Sequence, residues 1–263
     1  MNENLYKEIV RDVAQDTAEE ILTIIKSQSG IVVAPPSPEE ELSIIPQGEP
    51  NPEAGTDEYI QKTGAKKVII EEVAHVEQAA QEWAAHEIGE VGHKGSTCQK
   101  KGCAISGLCS IAAFHLKVAV NPLTLDAFLK ANNGYMYGNA VVWGALVTLF
   151  NKYGLEAAFR EEKVESMATD AIEEIRSQID QGSPVLLRVS YEKGPHFLVG
   201  IGYIEEKSGA IRDIIIHDPG TFKGNGYGTK ACTPSTFYGN PNHRFTLEGV
   251  LIYEVSGTPV RPA

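Results

Sequence analysis

The sequence predicts an α+β fold, and three observations carry that prediction. Helical periodicity dominates residues 103–180; the hydrophobic period then falls to two over Val185–Ser190, Phe197–Ile204, Ile211–His217 and Val250–Val255; and the two regimes meet once, at Gln181-Gly182. Helices followed by strands, without βαβ alternation, lead to an antiparallel sheet with the helical half packed on it. At 263 residues and 42% hydrophobic content, the chain is long enough for one domain with a substantial core plus an appendage.

The appendage comes first. Leu5, Ile9, Val13, Ile21, Ile24 and Ile25 recur at spacings near three and four among charged residues, which predicts an amphipathic helix within residues 1–30. Residues 31–64 read as an acidic proline-rich linker, with Ala34-Pro35-Pro36-Ser37-Pro38, Glu39-Glu40-Glu41 and Gly48-Glu49-Pro50-Asn51-Pro52. Residues 1–70 hold 13 acids against 6 bases, −7 of the total −12. A helix on such a tether has no obligation to fold back, so it is expected to dock on a larger protein assembly or a second copy; packing on its own domain is the alternative.

Residues 65–263 form the expected domain. Lys66–Ile70 reads as a short edge strand, followed by helices over Cys103–Lys117, Leu123–Ala131 after Asn121-Pro122, Ala140–Tyr153 ending at Gly154, and Thr169–Asp180. The strands named above follow. The stretch from Gly220 to Thr246, rich in glycine and holding Phe222, Tyr227, Phe237, Tyr238 and Phe245, is either a substrate-binding rim or a surface excursion packed by its own aromatics.

Composition excludes several function classes. A net charge of −12, with no lysine or arginine stripe to offset it, argues against nucleic acid as a partner. No apolar run reaches the roughly 18 residues of a membrane span. Met1-Asn2-Glu3-Asn4 lacks the basic start and apolar centre of a signal peptide, so the chain is expected to be cytoplasmic at synthesis. Cys98, Cys103, Cys109 and Cys232 have neither the pairing of a disulfide framework nor the short gaps of a zinc site, and no metal or organic cofactor is expected.

One of these cysteines stands where a loop becomes a helix. In Gly102-Cys103-Ala104-Ile105-Ser106 the thiol meets the positive end of the helix dipole and unsatisfied backbone N–H groups, conditions that favour a thiolate nucleophile. Cys109 lies inside the apolar stretch and reads as a small hydrophobe; Cys98 is expected in the preceding loop, exposed but outside the helix-terminus field. Gly102 is expected to keep the turn tight and open to a substrate.

A thiol nucleophile needs a base and an orienting group. His196 opens a strand and Asp218 closes the next, so in a hairpin the two ends lie side by side and the carboxylate accepts the imidazole N–H. His217 competes with Asp218, but strand alternation sends the two to opposite faces. An oxyanion donor must also be supplied, and Gln78, Gln81 and Gln99 all precede the cysteine; spacing alone does not choose.

Residues Gln78 to Asp218 resemble the papain-like cysteine peptidases related to bacteriocin-processing (double-glycine leader) peptidases, in a stand-alone form. Gln78, Trp83, Gly95-Ser96-Thr97 and Gly102-Cys103-Ala104-Ile105-Ser106 are similar to the family's glutamine, tryptophan, Gly-Ser-Thr loop and nucleophile motif. Pro195-His196-Phe197 and His217-Asp218-Pro219 are similar to its histidine strand and aspartate turn, and Asn121-Pro122-Leu123-Thr124-Leu125 to its short helix. Ala80-Gln81-Glu82-Trp83 stands where the family usually has Asp-Pro-Arg-Trp, and Gly107-Leu108-Cys109-Ser110 where it has a Leu-Ala-Met helix. The resemblance selects Gln78 and implies a papain-like fold, with Cys103, His196 and Asp218 as triad. It implies a peptide or amide bond as the target.

The resulting expectation is a thiol hydrolase without cofactors. The appendage and the missing signal peptide suggest delivery by a phage particle or secretion assembly, with cell-wall peptide as substrate. The alternatives are a silent peptidase fold kept as a structural or peptide-binding module, and an amidase or acyltransferase sharing the same triad.

Overall fold

The computed structural model describes residues 57–164, 168–191, 194–220 and 246–260, all within a unit spanning Gly48–Ala263. The expected N-terminal helix, most of the linker and nearly all of the 220–246 stretch lie outside these residues. The end of the expected linker carries a helix, α1 (Asp57–Thr63), once the prolines stop. Gly64 then turns the chain at φ +66°, its N–H donating to the Ile60 carbonyl.

Strand β1 (Lys66–Ile69) leads into a long connection, then α2 (Cys98–Lys101) and α3 (Cys103–Leu116), with Gly102 as the hinge between them. Helix α4 (Pro122–Ala131) starts as the sequence dictates. Asn121 accepts from the Thr124 N–H, the Thr124 hydroxyl accepts from the Asn121 N–H, and Pro122 fills the first turn. A small hairpin follows, β2 (Tyr135–Met136) and β3 (Ala140–Val141), then α5 (Ala145–Lys152). The helix expected from Ala140 thus begins five residues late, because Val141-Val142-Trp143-Gly144 joins two β-branched residues, an aromatic and a glycine, all poor helix formers.

The rest comprises β4 (Glu156–Lys163), α6 (Ala168–Asp180), β5 (Val185–Tyr191), β6 (Gly194–Glu205), β7 (Ile211–His217) and β8 (Thr246–Ser256). Strand β4 carries no strand signature in its sequence, Glu-Ala-Ala-Phe-Arg-Glu-Glu-Lys. Full antiparallel pairing with β8, from Glu156↔Ser256 to Lys163↔Gly249, overrides its local preference.

All pairings in the sheet are antiparallel, in the order β1-β6-β5-β8-β4, and β7 also pairs with β6, from Val199 to Glu205. The β6–β7 register, with Val199 opposite His217, realises the hairpin expected from the sequence. Because β7 pairs only from Val199 onward, residues 194–198 of β6 have a strand, β5, on one edge alone.

One face of the sheet meets α3, where Leu186, Val199, Ile201, Leu251 and Tyr253 share a core with Ile105, Leu108 and Ile111. The other meets α6, where Ile175 and Ile179 join Leu187, Val189, Leu198 and Ile252. The helices are therefore not confined to one side, as the order of elements suggested. Strands buried on both faces read as continuous apolar runs, as β5 and β7 do. Each such buried aliphatic side chain contributes about 1.5–3 kcal/mol.

Helix α3 is buried on nearly every side, and Gly107 lets it approach the sheet. A Cβ there would stand 2.5 Å from Leu186 Cδ1. That close approach fixes where the first turn of α3, one turn earlier, meets β6.

Candidate active site

Cys103 is the first residue of α3 and is half-buried. Gly102 makes the turn possible for an internal reason rather than for substrate access: a Cβ would lie 2.3 Å from the Cys98 carbonyl oxygen and 2.6 Å from its sulfur. Cys98 itself is fully buried, not exposed as the sequence suggested, and sits in α2 behind that turn. Burial pushes its thiol up to about 12. Cys109 is buried inside α3 and its thiol is likewise pushed well up.

Cys103 moves the other way. Burial alone raises its thiol, but the hydrogen bond and charge of His196, with the backbone N–H groups of Phe197 and Ala104, outweigh it and lower the thiol below its ordinary value. The Phe197 N–H lies on the stretch of β6 that has a strand on one edge only. Its use by the sulfur escaped the sequence reading, since a backbone donor leaves no residue signature.

His196, 5% exposed, is hydrogen-bonded to Cys103 on one side and to Asp218 on the other. Nε2 stands 2.7 Å from Asp218 Oδ1. Burial disfavours its charged form, yet the bonds to Asp218 and Cys103 and their charges lift it from 6.5 to about 10. Each group favours the charged form of the other.

Asp218 is 2% exposed, and its position follows from Asp218-Pro219-Gly220. Oδ1 also accepts from the Gly220 N–H at 2.7 Å, an Asx-type turn that holds the carboxylate in place. His217 points away, tilted against His75 with ring centroids 5.0 Å apart. Burial and the nearby His75 push His217 down to about 4, so it stays neutral. Strand β7 ends at His217, so Asp218 lies just beyond it, and the Gly220 N–H rather than strand alternation holds its carboxylate.

Gln78 lies on a segment that clamps this turn. Its N–H donates to the Pro219 carbonyl at 2.9 Å, and His75 Nε2 donates to the Asp218 carbonyl at 2.6 Å. The Gln78 amide nitrogen donates to the Gln99 carbonyl at 2.7 Å, inside α2, while its Oε1 is buried without a partner among the described residues. One N–H of that amide remains for another acceptor. Gln99, an alternative in the sequence, contributes its backbone; Gln81 is exposed and makes none of these contacts.

A second polar cluster fixes the connection before α2. The Asp126 carboxylate, on α4, takes Lys130 Nζ at 2.6 Å, His86 Nε2 at 2.8 Å, the Tyr135 hydroxyl at 2.8 Å and the Gly89 N–H at 3.3 Å. The His86 carbonyl then accepts from the Cys98 N–H at 2.8 Å. Among the described residues, no group of three or more His, Cys, Asp or Glu side chains is arranged to hold a metal ion, and no helix is long and apolar enough to cross a membrane.

Comparison with known protein families gives a match to the model of the Peptidase_C39 like family over residues 70–239, well over half of the chain. A search of curated proteins finds no match. The matched range contains Gln78, Cys103, His196 and Asp218.

Proposed function

Because the chain belongs to the Peptidase_C39 like family and is a cysteine peptidase acting on a peptide substrate, we propose that Cys103, His196, Asp218 and Gln78 are its catalytic residues. The observation that supports this most is the unbroken hydrogen-bonded chain from the Cys103 sulfur through the His196 ring to Asp218 Oδ1. With Nε2 committed to the carboxylate, Nδ1 is the ring nitrogen that serves the sulfur.

The steps follow from those positions. The thiolate attacks the scissile carbonyl carbon, and the oxyanion takes the remaining Gln78 amide N–H and the Cys103 backbone N–H. Nδ1 of the imidazolium protonates the leaving amine, and the amine departs from the acyl-enzyme. Neutral imidazole then draws a proton from water as it attacks the thioester, and the thiolate returns. Asp218 keeps the ring in register and stabilises its cation throughout.

Cell-wall peptide, delivered by a phage particle or secretion assembly through the N-terminal segment, is the substrate this reading adopts. Its support is the sequence of the acidic, proline-rich appendage. Incubation with peptidoglycan and with an unfolded protein tests it by mass spectrometry of the products; cleavage of protein alone would refute it.

Thiol reactivity tests the catalytic reading itself. At pH 7, iodoacetamide should label Cys103 at least tenfold faster than Cys98 or Cys109, in proportion to thiolate content. Cys103→Ala should abolish hydrolysis while the chain stays folded. Equal, slow labelling of all the thiols would favour a silent module.

A further inference from the structure

Asp218 is held through one of its two oxygens. Oδ1 takes the His196 ring and the Gly220 N–H, whereas Oδ2 is buried with no partner among the described residues. Where Oδ1 points therefore depends on how the Asp218 backbone is placed. That backbone lies just beyond the end of β7, outside the ladder of the sheet. Its carbonyl accepts instead from His75 Nε2 at 2.6 Å, a side chain that no step above uses.

The ring that makes this bond is itself fixed. A carbonyl can only accept, so Nε2 of His75 carries the proton. The ring packs on that of the buried His217, with centroids 5.0 Å apart and planes inclined at 46°. Val73 and Val76, on either side of His75 in the chain, are buried in the core. Residues 73–77 form no helix or strand, so side chains and single bonds hold the segment. The segment leads directly to Gln78, whose N–H meets the Pro219 carbonyl one residue beyond Asp218. Space filling alone would be met by an apolar ring, without a donor at the Asp218 carbonyl.

We propose that His75 is a positioning residue for the reaction, its ring holding the Asp218 carbonyl so that the carboxylate stays in line with His196. The inference rests on the catalytic reading above, in which Asp218 orients the His196 ring and stabilises its cation.

The charge state of His196 reads that alignment without any substrate. In protein carrying isotope-labelled histidine, the His196 ring signal is assigned by its loss in His196→Asn, and its chemical shift is followed by NMR against pH. The wild-type midpoint should lie near 10. His75→Phe keeps a ring against His217 and removes the donor, leaving the Asp218 carbonyl unpaired. The midpoint should then fall by about one pH unit, part of the roughly one to three that an opposite charge at hydrogen-bond distance supplies. His75→Gln, whose amide nitrogen can stand where Nε2 does, should return it to within about half a pH unit of wild type. In an Asp218→Asn background, His75→Phe should add no further shift, because no charge is left to align; a packing defect alone would act equally in both backgrounds. Where circular dichroism finds His75→Phe unfolded, His75→Asn, whose amide stops short of the carbonyl, should shift the midpoint in the same direction. A midpoint unchanged from wild type, an equal shift in both backgrounds, or no recovery in His75→Gln overturns the role of His75 alone. A wild-type His196 that titrates at its ordinary 6.5 overturns the catalytic reading, and the role of His75 with it.

Discussion

Asp218→Asn isolates the charge that supports the proposed ion pair while keeping shape. The asparagine Oδ1 can still accept from His196 Nε2 and from the Gly220 N–H, both at 2.7 Å in the wild type, so the turn should persist. What changes is the proton affinity of the ring. His196 stands at about 10 against an ordinary 6.5, which corresponds to about 5 kcal/mol in favour of the imidazolium. Burial opposes that rise; Asp218 and the thiolate share in producing it. An opposite charge at hydrogen-bond distance shifts its partner by about one to three pH units, so removing the Asp218 charge should lower the ring by about that much. In the wild type, alkylation of Cys103 should stay fast well below 9.0 and fall only as pH passes down through the lowered thiol value. In Asp218→Asn the ring should still be protonated across that acid limb, so the change should fall on the alkaline limb of hydrolysis, which follows loss of the imidazolium proton and should move down by about one to three pH units. Stability gives an independent check of sign. A histidine raised in the folded state contributes stability that is complete below 6.5 and lost as pH rises through about 10. The loss in melting temperature caused by the variant should thus be large at pH 6–7 and shrink toward pH 10. Coincidence of the two alkaline limbs of hydrolysis to within about half a pH unit would refute the coupling.

Gln78→Ala should lower kcat by about 10²–10³ with little change in KM, the cost of one oxyanion donor. Steady-state cleavage kinetics read this, and an unchanged kcat would leave the oxyanion to backbone groups alone. Gly107→Val should destabilise the fold by about 1–3 kcal/mol, because its Cβ must displace the fully buried Leu186 side chain 2.5 Å away. Thermal unfolding should show a fall of several degrees, as about 2–4 °C accompany each kcal/mol in a chain of this size. An unaltered melting temperature would contradict the close approach of α3 to the sheet.

What the sequence exposed and what it hid divide along the range of the interactions. Cys103, His196 and Asp218 were legible because each sits at a boundary that a local pattern marks: a glycine before an apolar helix, a Gly-Pro before a strand, an Asp-Pro-Gly turn after one. The β6–β7 hairpin then brings His196 and Asp218 together with no long-range guesswork. Gln78 was different. Its position depends on bonds to Pro219 and Gln99, 141 residues downstream in one case and 21 in the other, so spacing left three glutamines level and only the family resemblance chose. Cys98 was misplaced for the same reason, since its burial follows from the α2–α3 turn folding over it rather than from its polar neighbours. Strand β4 shows the strongest override: a charged, helix-forming octet becomes a strand because β8 offers eight consecutive partners. Arg160 then ties β4 to Glu254 on β8 and to Glu174 on α6, so charges that seemed to exclude an extended strand are what bind it to its neighbours. The candidate site could be read early because its groups occupy the ends of elements, where sequence signals concentrate. The support around them could not, because it is assembled from the middles of elements and from backbone groups such as the Phe197 N–H, which every residue but proline possesses.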